Sequence, residues 1–135
     1  MLNYRSYALA VTIGLAILLY LAAGSLTYLS SPEYKRISPQ DAKQRLETKK
    51  TIVLLDVRTQ EEHHEKRIPG STLIPVDNLA ADVLNVIPDK QTVIIIYCRS
   101  GRRSEIAARM LLKLGYREVF DLGGINDWPY EVQQN

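Results

Sequence analysis

Hydrophobic and polar positions fall along this chain in blocks of different period, and the period decides what each block is expected to become. From Tyr7 to Leu29 nearly every residue is apolar or small, and no formal charge lies between Arg5 and Glu33. At helical rise such a run is long enough to cross about 30 Å of hydrocarbon. Tyr4, Tyr7, Tyr20 and Tyr28 bring aromatics to its two ends, where a membrane interface favours them. The first expectation is a single membrane-spanning helix over residues 7–29, after a tail of residues 1–6 and before a linker of residues 30–33. A signal segment is the competing expectation, with Arg5 as its charged start and Ala22-Ala23-Gly24 as small residues for cleavage. The chain is then either a single-pass membrane protein or one exported (periplasmic) after cleavage. Arg5 on one side and Lys35, Arg36 and Lys43 on the other leave the side of the membrane open.

Residues 34–135 change period about every twenty positions. Tyr34 to Ile37 suits a brief edge strand. Ser38-Pro39-Gln40-Asp41 opens a helix with a capping hydroxyl, a proline at the first helical position and an acid at the positive end. Ile52 to Leu55 is continuously apolar, as a strand covered on both faces is. Thr59-Gln60-Glu61-Glu62 has capping-box spacing and starts a polar helix to about Lys66, broken by Ile68-Pro69-Gly70. Thr72 to Ile74 makes a short strand, and Asp77 or Asn78 caps a helix with Leu79, Val83 and Leu84 on its apolar side. Thr92 to Tyr97 is the strongest strand signal and belongs in the centre of a sheet. Ser104 to Leu114 follows as an amphipathic helix, with Ile106, Ala107, Met110, Leu111 and Leu114 on one face and Gly115 as its stop. Glu118 to Leu122 is a last strand, Gly123-Gly124 a turn, and Ile125 to Trp128 a short helical piece. Strands alternating with helices predict an α/β fold, an open, mostly parallel sheet with helices on both faces, and ligands in such sheets bind beyond the carboxyl ends of the strands.

Composition narrows the partners. Seventeen Lys and Arg stand against fifteen Asp and Glu, which gives no basic surplus for nucleic acid. The single cysteine, Cys98, cannot form an intramolecular disulfide, so it is core filler or a reactive thiol. Its neighbours favour reactivity. Cys98-Arg99-Ser100-Gly101-Arg102-Arg103-Ser104 ends the strongest strand and precedes a helix, so inward amides, a helix N-terminus and three arginines all favour thiolate. A thiolate in an anion cradle can attack a sulfur, phosphorus or arsenic centre. His63 and His64 fall on the polar helix and are expected at the surface, and no further ligands accompany them for a metal.

Four motifs together carry a family resemblance. Asp56-Val57-Arg58, Ile68-Pro69-Gly70, Cys98 to Ser104, and Gly123-Gly124-Ile125 with Trp128 resemble the rhodanese domain in order and spacing, over about residues 34–129. The resemblance implies a thiosulfate sulfurtransferase-like enzyme that needs no cofactor. Cys98 would take the outer sulfur of thiosulfate or a similar anionic donor, become a persulfide, and pass the sulfur to cyanide or a thiol. Arg99, Ser100, Gly101, Arg102 and Arg103 would form the persulfide-cradling loop, with Arg99 and Arg102 meeting the donor at the rim. Asp56, Arg58 and Ser104 would support the site. One departure is Arg67, where related domains often carry His before Ile-Pro-Gly.

Phosphatases and arsenate reductases of related fold use a longer loop, with five residues between Cys and Arg. Here Arg103 is already the fifth residue after Cys98, so the loop is one residue short and suits a single sulfur atom better than a phosphate. A membrane-tethered persulfide carrier or sulfur-relay binding module without small-molecule turnover would use the same residues, and it stands as the alternative function.

Overall fold

The computed structural model describes residues 3–28, 33–49 and 51–135. The chain divides into two compact units, Met1–Pro32 and Glu33–Asn135. In the first, helix α1 runs over Tyr4–Tyr28. Its apolar side chains, Val11, Leu15, Leu18 and Leu21 among them, are exposed. Among the described residues no helix is long and apolar enough to cross a membrane, so the expected span over 7–29 finds no support there. Residue 29 and the linker positions 30–32 lie outside the described residues.

The second unit is built on β1 (Lys35–Arg36), β2 (Val53–Asp56), β4 (Thr72–Leu73), β5 (Ile94–Cys98) and β6 (Val119–Gly124). Between and after them come α2 (Pro39–Thr48), α3 (Gln60–Glu65), β3 (Lys66–Arg67), α4 (Leu79–Val86), α5 (Arg102–Lys113) and β7 (Gln133–Gln134). The five-stranded sheet has the order β1-β6-β5-β2-β4, and every pairing in it is parallel. β5 is the central strand, as its composition predicts. All five of its residues are buried, because the pleat sends them alternately to two cores. Ile94, Ile96 and Cys98 pack with Leu79 and Val83 of α4 and Ala107 and Leu111 of α5. Ile95 goes to the other face, with Ala42 of α2, Phe120 and Trp128. Burying one such isoleucine contributes roughly 1.5–3 kcal/mol, so β5 is the anchor of both layers.

The topology itself selects a site. After β2 the chain moves to β4 at one edge, whereas after β5 it moves to β6 on the opposite side. Connections leaving two neighbouring strands in opposite directions open a crevice at their carboxyl ends. Asp56 ends β2 and Cys98 ends β5. The two motifs of the resemblance therefore meet where the sheet has room for a ligand.

Three local expectations change. The last helix starts at Arg102, two residues early, with Gly101 at its N-cap. Its buried face is Ser104, Ala107, Ala108, Leu111 and Leu112, while Ile106 is 46% exposed; Ala107 and Leu111 are buried as expected, and Ser104, Ala108 and Leu112 join them in place of Ile106, Met110 and Leu114. Gly123-Gly124 is not a free turn but the end of β6, paired with Tyr97 and Cys98 after a register shift. Finally, β3 and β7 form a small antiparallel sheet that two-residue polar segments do not announce.

Candidate active site

Cys98 is 1% exposed, at the last position of the central strand. Three residues, Arg99 to Gly101, carry the chain from there into α5. So sharp a reversal needs a left-handed residue, and Gly101 sits at φ 104°. Its amide donates to Cys98 Sγ at 3.1 Å. The thiol in turn lies 3.7 Å from Ser104 Oγ, to which it donates. That hydroxyl is itself anchored, donating to the carbonyls of Gly101 at 2.9 Å and Gly123 at 3.3 Å. Burial pushes the Cys98 thiol up, but the amide and hydroxyl of Ser104 and the amides of Gly101 and Ser100 outweigh it, and the net shift is downward. The first turn of a helix leaves amides without intrahelical partners, so α5 presents further donors near the sulfur.

The neighbouring strand makes room for this loop. A Cβ on Gly124 would stand 2.5 Å from the Arg99 carbonyl oxygen and 2.7 Å from Ser100 Cα. Only glycine allows that approach at position 124, whereas Gly123 is required by its left-handed φ of 88°. The Asn126 amide also donates to the Arg99 carbonyl at 3.3 Å.

Against this geometry, the family model of the rhodanese-like domain matches residues 38–130. The chain belongs to the rhodanese-like domain family. It is 38% identical over 100 residues to the putative sulfur carrier protein YrkF of Bacillus subtilis, covering 72% of this chain and 52% of that one. To the thiosulfate sulfurtransferase PspE of Escherichia coli it is 32% identical over 73 residues, covering 54% of this chain and 70% of that one. A solved rhodanese-like domain protein from Staphylococcus aureus superposes with a TM-score of 0.66 at 32% identity, over 75% of this chain and 98% of that one. The chain thus spans about half the length of YrkF, and as little as 21% of other relatives that it matches.

In this rhodanese-like domain, Asp56 and Arg58 form a buried cluster beside the loop. The Asp56 carboxylate is fully buried and Arg58 is 3% exposed. Arg58 donates to it from Nη2 at 2.7 Å, from Nε at 3.0 Å and from its own amide at 2.9 Å. Burial pulls the Arg58 guanidinium down, while the hydrogen bonds and charge of Asp56 raise it to a net upward shift. A further bond, 2.6 Å from Arg58 Nη2 to the Lys66 carbonyl, ties β3 to the cluster. Tyr97 completes it: its hydroxyl donates to Ser71 Oγ at 2.9 Å and accepts from the Ile68 amide, and burial pushes its pKa up to about 12.

The structure separates the three arginines of the loop. Arg103 is bound bidentately by Glu62, at 2.7 and 2.8 Å. That pair holds Glu62 down at about pKa 2, against an opposing push from burial. Arg99 and Arg102 are exposed. Ser100 is exposed as well, and Ser104 is buried under the sulfur. Arg102 and Arg103 thus belong to the first turn of α5 rather than to the loop proper.

Two residues of the site were not expected there. Glu62 signalled only its capping role, which it does fill: it accepts from the Thr59 amide at 3.0 Å. Nothing in the chain pairs it in advance with a residue 41 positions away. His63, expected at the surface with His64, instead lies 2.9 Å from Asp56 Oδ2. His64 is exposed, as expected.

Proposed function

We propose that this chain is a sulfurtransferase working through a Cys98 persulfide. The observation that carries this is the buried sulfur at the carboxyl end of the central strand, with the Gly101 amide 3.1 Å away and its thiol shifted toward thiolate. The Cys98 thiolate attacks the outer sulfur of thiosulfate. The donor's S–S bond breaks, its electron pair leaves with sulfite, and Cys98 holds the outer sulfur as a persulfide anion. Cyanide or a thiolate then attacks that outer sulfur and restores the Cys98 thiolate. Donated amides around the loop stabilise the persulfide charge as they stabilise the thiolate. The names of YrkF and PspE support sulfur transfer in general.

The loop geometry argues against phosphoryl transfer. A phosphatase needs its arginine free to hold the phosphoryl oxygens, whereas Arg103 is spent on Glu62. A thiosulfate–cyanide assay on the chain beside Cys98→Ser, with mass spectrometry of Cys98, tests the reading. Thiocyanate and a wild-type species one sulfur atom heavier are expected. Absence of both sinks the reading, and a persulfide without thiocyanate turnover selects the carrier function instead.

We further propose that residues 7–29 hold the domain at a membrane. The support is the uncharged stretch between Arg5 and Glu33 and the helix over Tyr4–Tyr28 with its exposed apolar side chains. An intact N-terminus in the membrane fraction supports the tether, and a processed N-terminus outside it selects the exported form.

A further inference from the structure

Beside the loop lies a cleft of about 210 Å³ lined by Arg58, Glu62, Glu65, Lys66, Arg99 and Asn126 over an Ile125 floor. Five of these side chains are charged, but two are already spent. Arg58 serves Asp56, and Glu62 serves Arg103. Among the described residues no ion pair involves Glu65, Lys66 or Arg99. What remains toward a ligand is one anion and two cations, contributed by the end of α3, the start of β3 and the residue next to the nucleophile.

Lys66 and Arg99 can accept an anionic group, and Glu65 adds a preference among anionic ligands. The set is matched to a ligand that carries one positive charge among its negative ones. The volume limits the size: pockets for drug-sized ligands begin near 300 Å³, so the occupant is smaller than these. Building on the sulfurtransferase reading, we infer that this cleft selects a small zwitterionic sulfur compound, an amino-acid persulfide or the corresponding thiol, with its ammonium at Glu65 and its carboxylate at Lys66 and Arg99. As donor, such a persulfide loses its outer sulfur to the Cys98 thiolate; the S–S bond breaks and the electron pair leaves on the amino-acid thiolate. In the reverse direction that thiolate is the acceptor. Neither direction needs an oxidant or a reductant.

The test separates binding from transfer by using unreactive probes. S-methylcysteine keeps both charges of an amino-acid sulfur compound, and 3-(methylthio)propionate lacks the ammonium. Each is titrated against the full chain, and protection of Cys98 from iodoacetamide is read as the half-protecting concentration. S-methylcysteine is expected to protect at a concentration about three-fold lower, the order of one partly exposed charge contact. Glu65→Gln should erase that preference, and Lys66→Gln should weaken both probes. Equal protection by the two probes, or a preference that survives Glu65→Gln, overturns the inference even when Cys98 transfers sulfur. A preference lost in Glu65→Gln upholds the cleft even in a chain that forms no persulfide, a result that would count against the transferase reading alone.

Discussion

Two neighbouring strand ends of one sheet use charge in opposite ways. At the end of β2, Asp56, Arg58 and His63 satisfy one another at 2.7–3.1 Å inside the protein. At the end of β5, the Gly101 amide donates to Cys98 Sγ at 3.1 Å, and the Cys98 thiol donates to Ser104 Oγ at 3.7 Å. The first end is closed and has nothing left to offer a ligand. The second keeps a sulfur whose charge is favoured by fixed dipoles. Burial is alike at the two, so what distinguishes a brace from a reacting group is whether the polar partners are spent on each other.

If that contrast is right, damage at the β2 end should appear as lost stability. Asp56→Ala leaves Arg58 buried with no counter-charge, and breaking a buried pair in this way costs about 3–5 kcal/mol. Urea unfolding of the variant should show that loss, while the fraction that stays folded still alkylates at Cys98. A loss below about 1 kcal/mol, the worth of an exposed pair, would mean that the cluster is not a brace.

Glu62 joins the two ends, because it caps α3 and grips Arg103. Its carboxylate sits near pKa 2 in the folded protein, below its ordinary 4.5. A depressed carboxylate contributes stability above its unfolded pKa and loses it as pH falls through the folded one. The wild type should therefore exceed Glu62→Gln by about 1–3 kcal/mol at neutral pH, an upper range for a group this exposed. The difference should shrink as pH drops from about 4.5 toward 2. Gln keeps an acceptor for the Thr59 amide, so the comparison isolates the charge. A difference constant across that window would show that the Arg103 pair contributes nothing.

The central strand, the capping hydroxyls of Ser38 and Thr59 and the nucleophile's place at a strand end were all legible in the residues, because each rests on local chemistry: continuous β-branched burial, a hydroxyl three residues before its amide, a cysteine ahead of a glycine. What escaped was set by distance in the chain. Arg103 and Glu62 meet across 41 positions, and His63 turns toward Asp56 because β2 and α3 fold together. The helix begins two residues before Ser104 because Gly101 turns left-handed and places Arg102 and Arg103 in the first turn, although both look like loop charges in the sequence. Gly123-Gly124 looked like a turn for a similar reason. Gly124 answers to the Arg99 carbonyl in the loop after β5, and Gly123 to a left-handed φ of 88°, which no local pattern contains.

The smallest expected effect is the sharpest test of the reacting end. Ser104 Oγ accepts from the thiol and donates to the Gly101 and Gly123 carbonyls, and its amide and hydroxyl both lower the Cys98 thiol. Ser104→Ala keeps the amide and removes the hydroxyl. Stability should fall by only about 0.5–1.5 kcal/mol, the net worth of an ordinary hydrogen bond. The pH at which Cys98 reaches half its maximal alkylation rate should move upward, since burial then meets less opposition. Asp56→Ala should leave that midpoint where it is in the wild type. A midpoint unmoved in Ser104→Ala, or moved equally by both variants, would mean that the sulfur is held by the cluster as a whole, and the division between a closed end and a receptive one would fail.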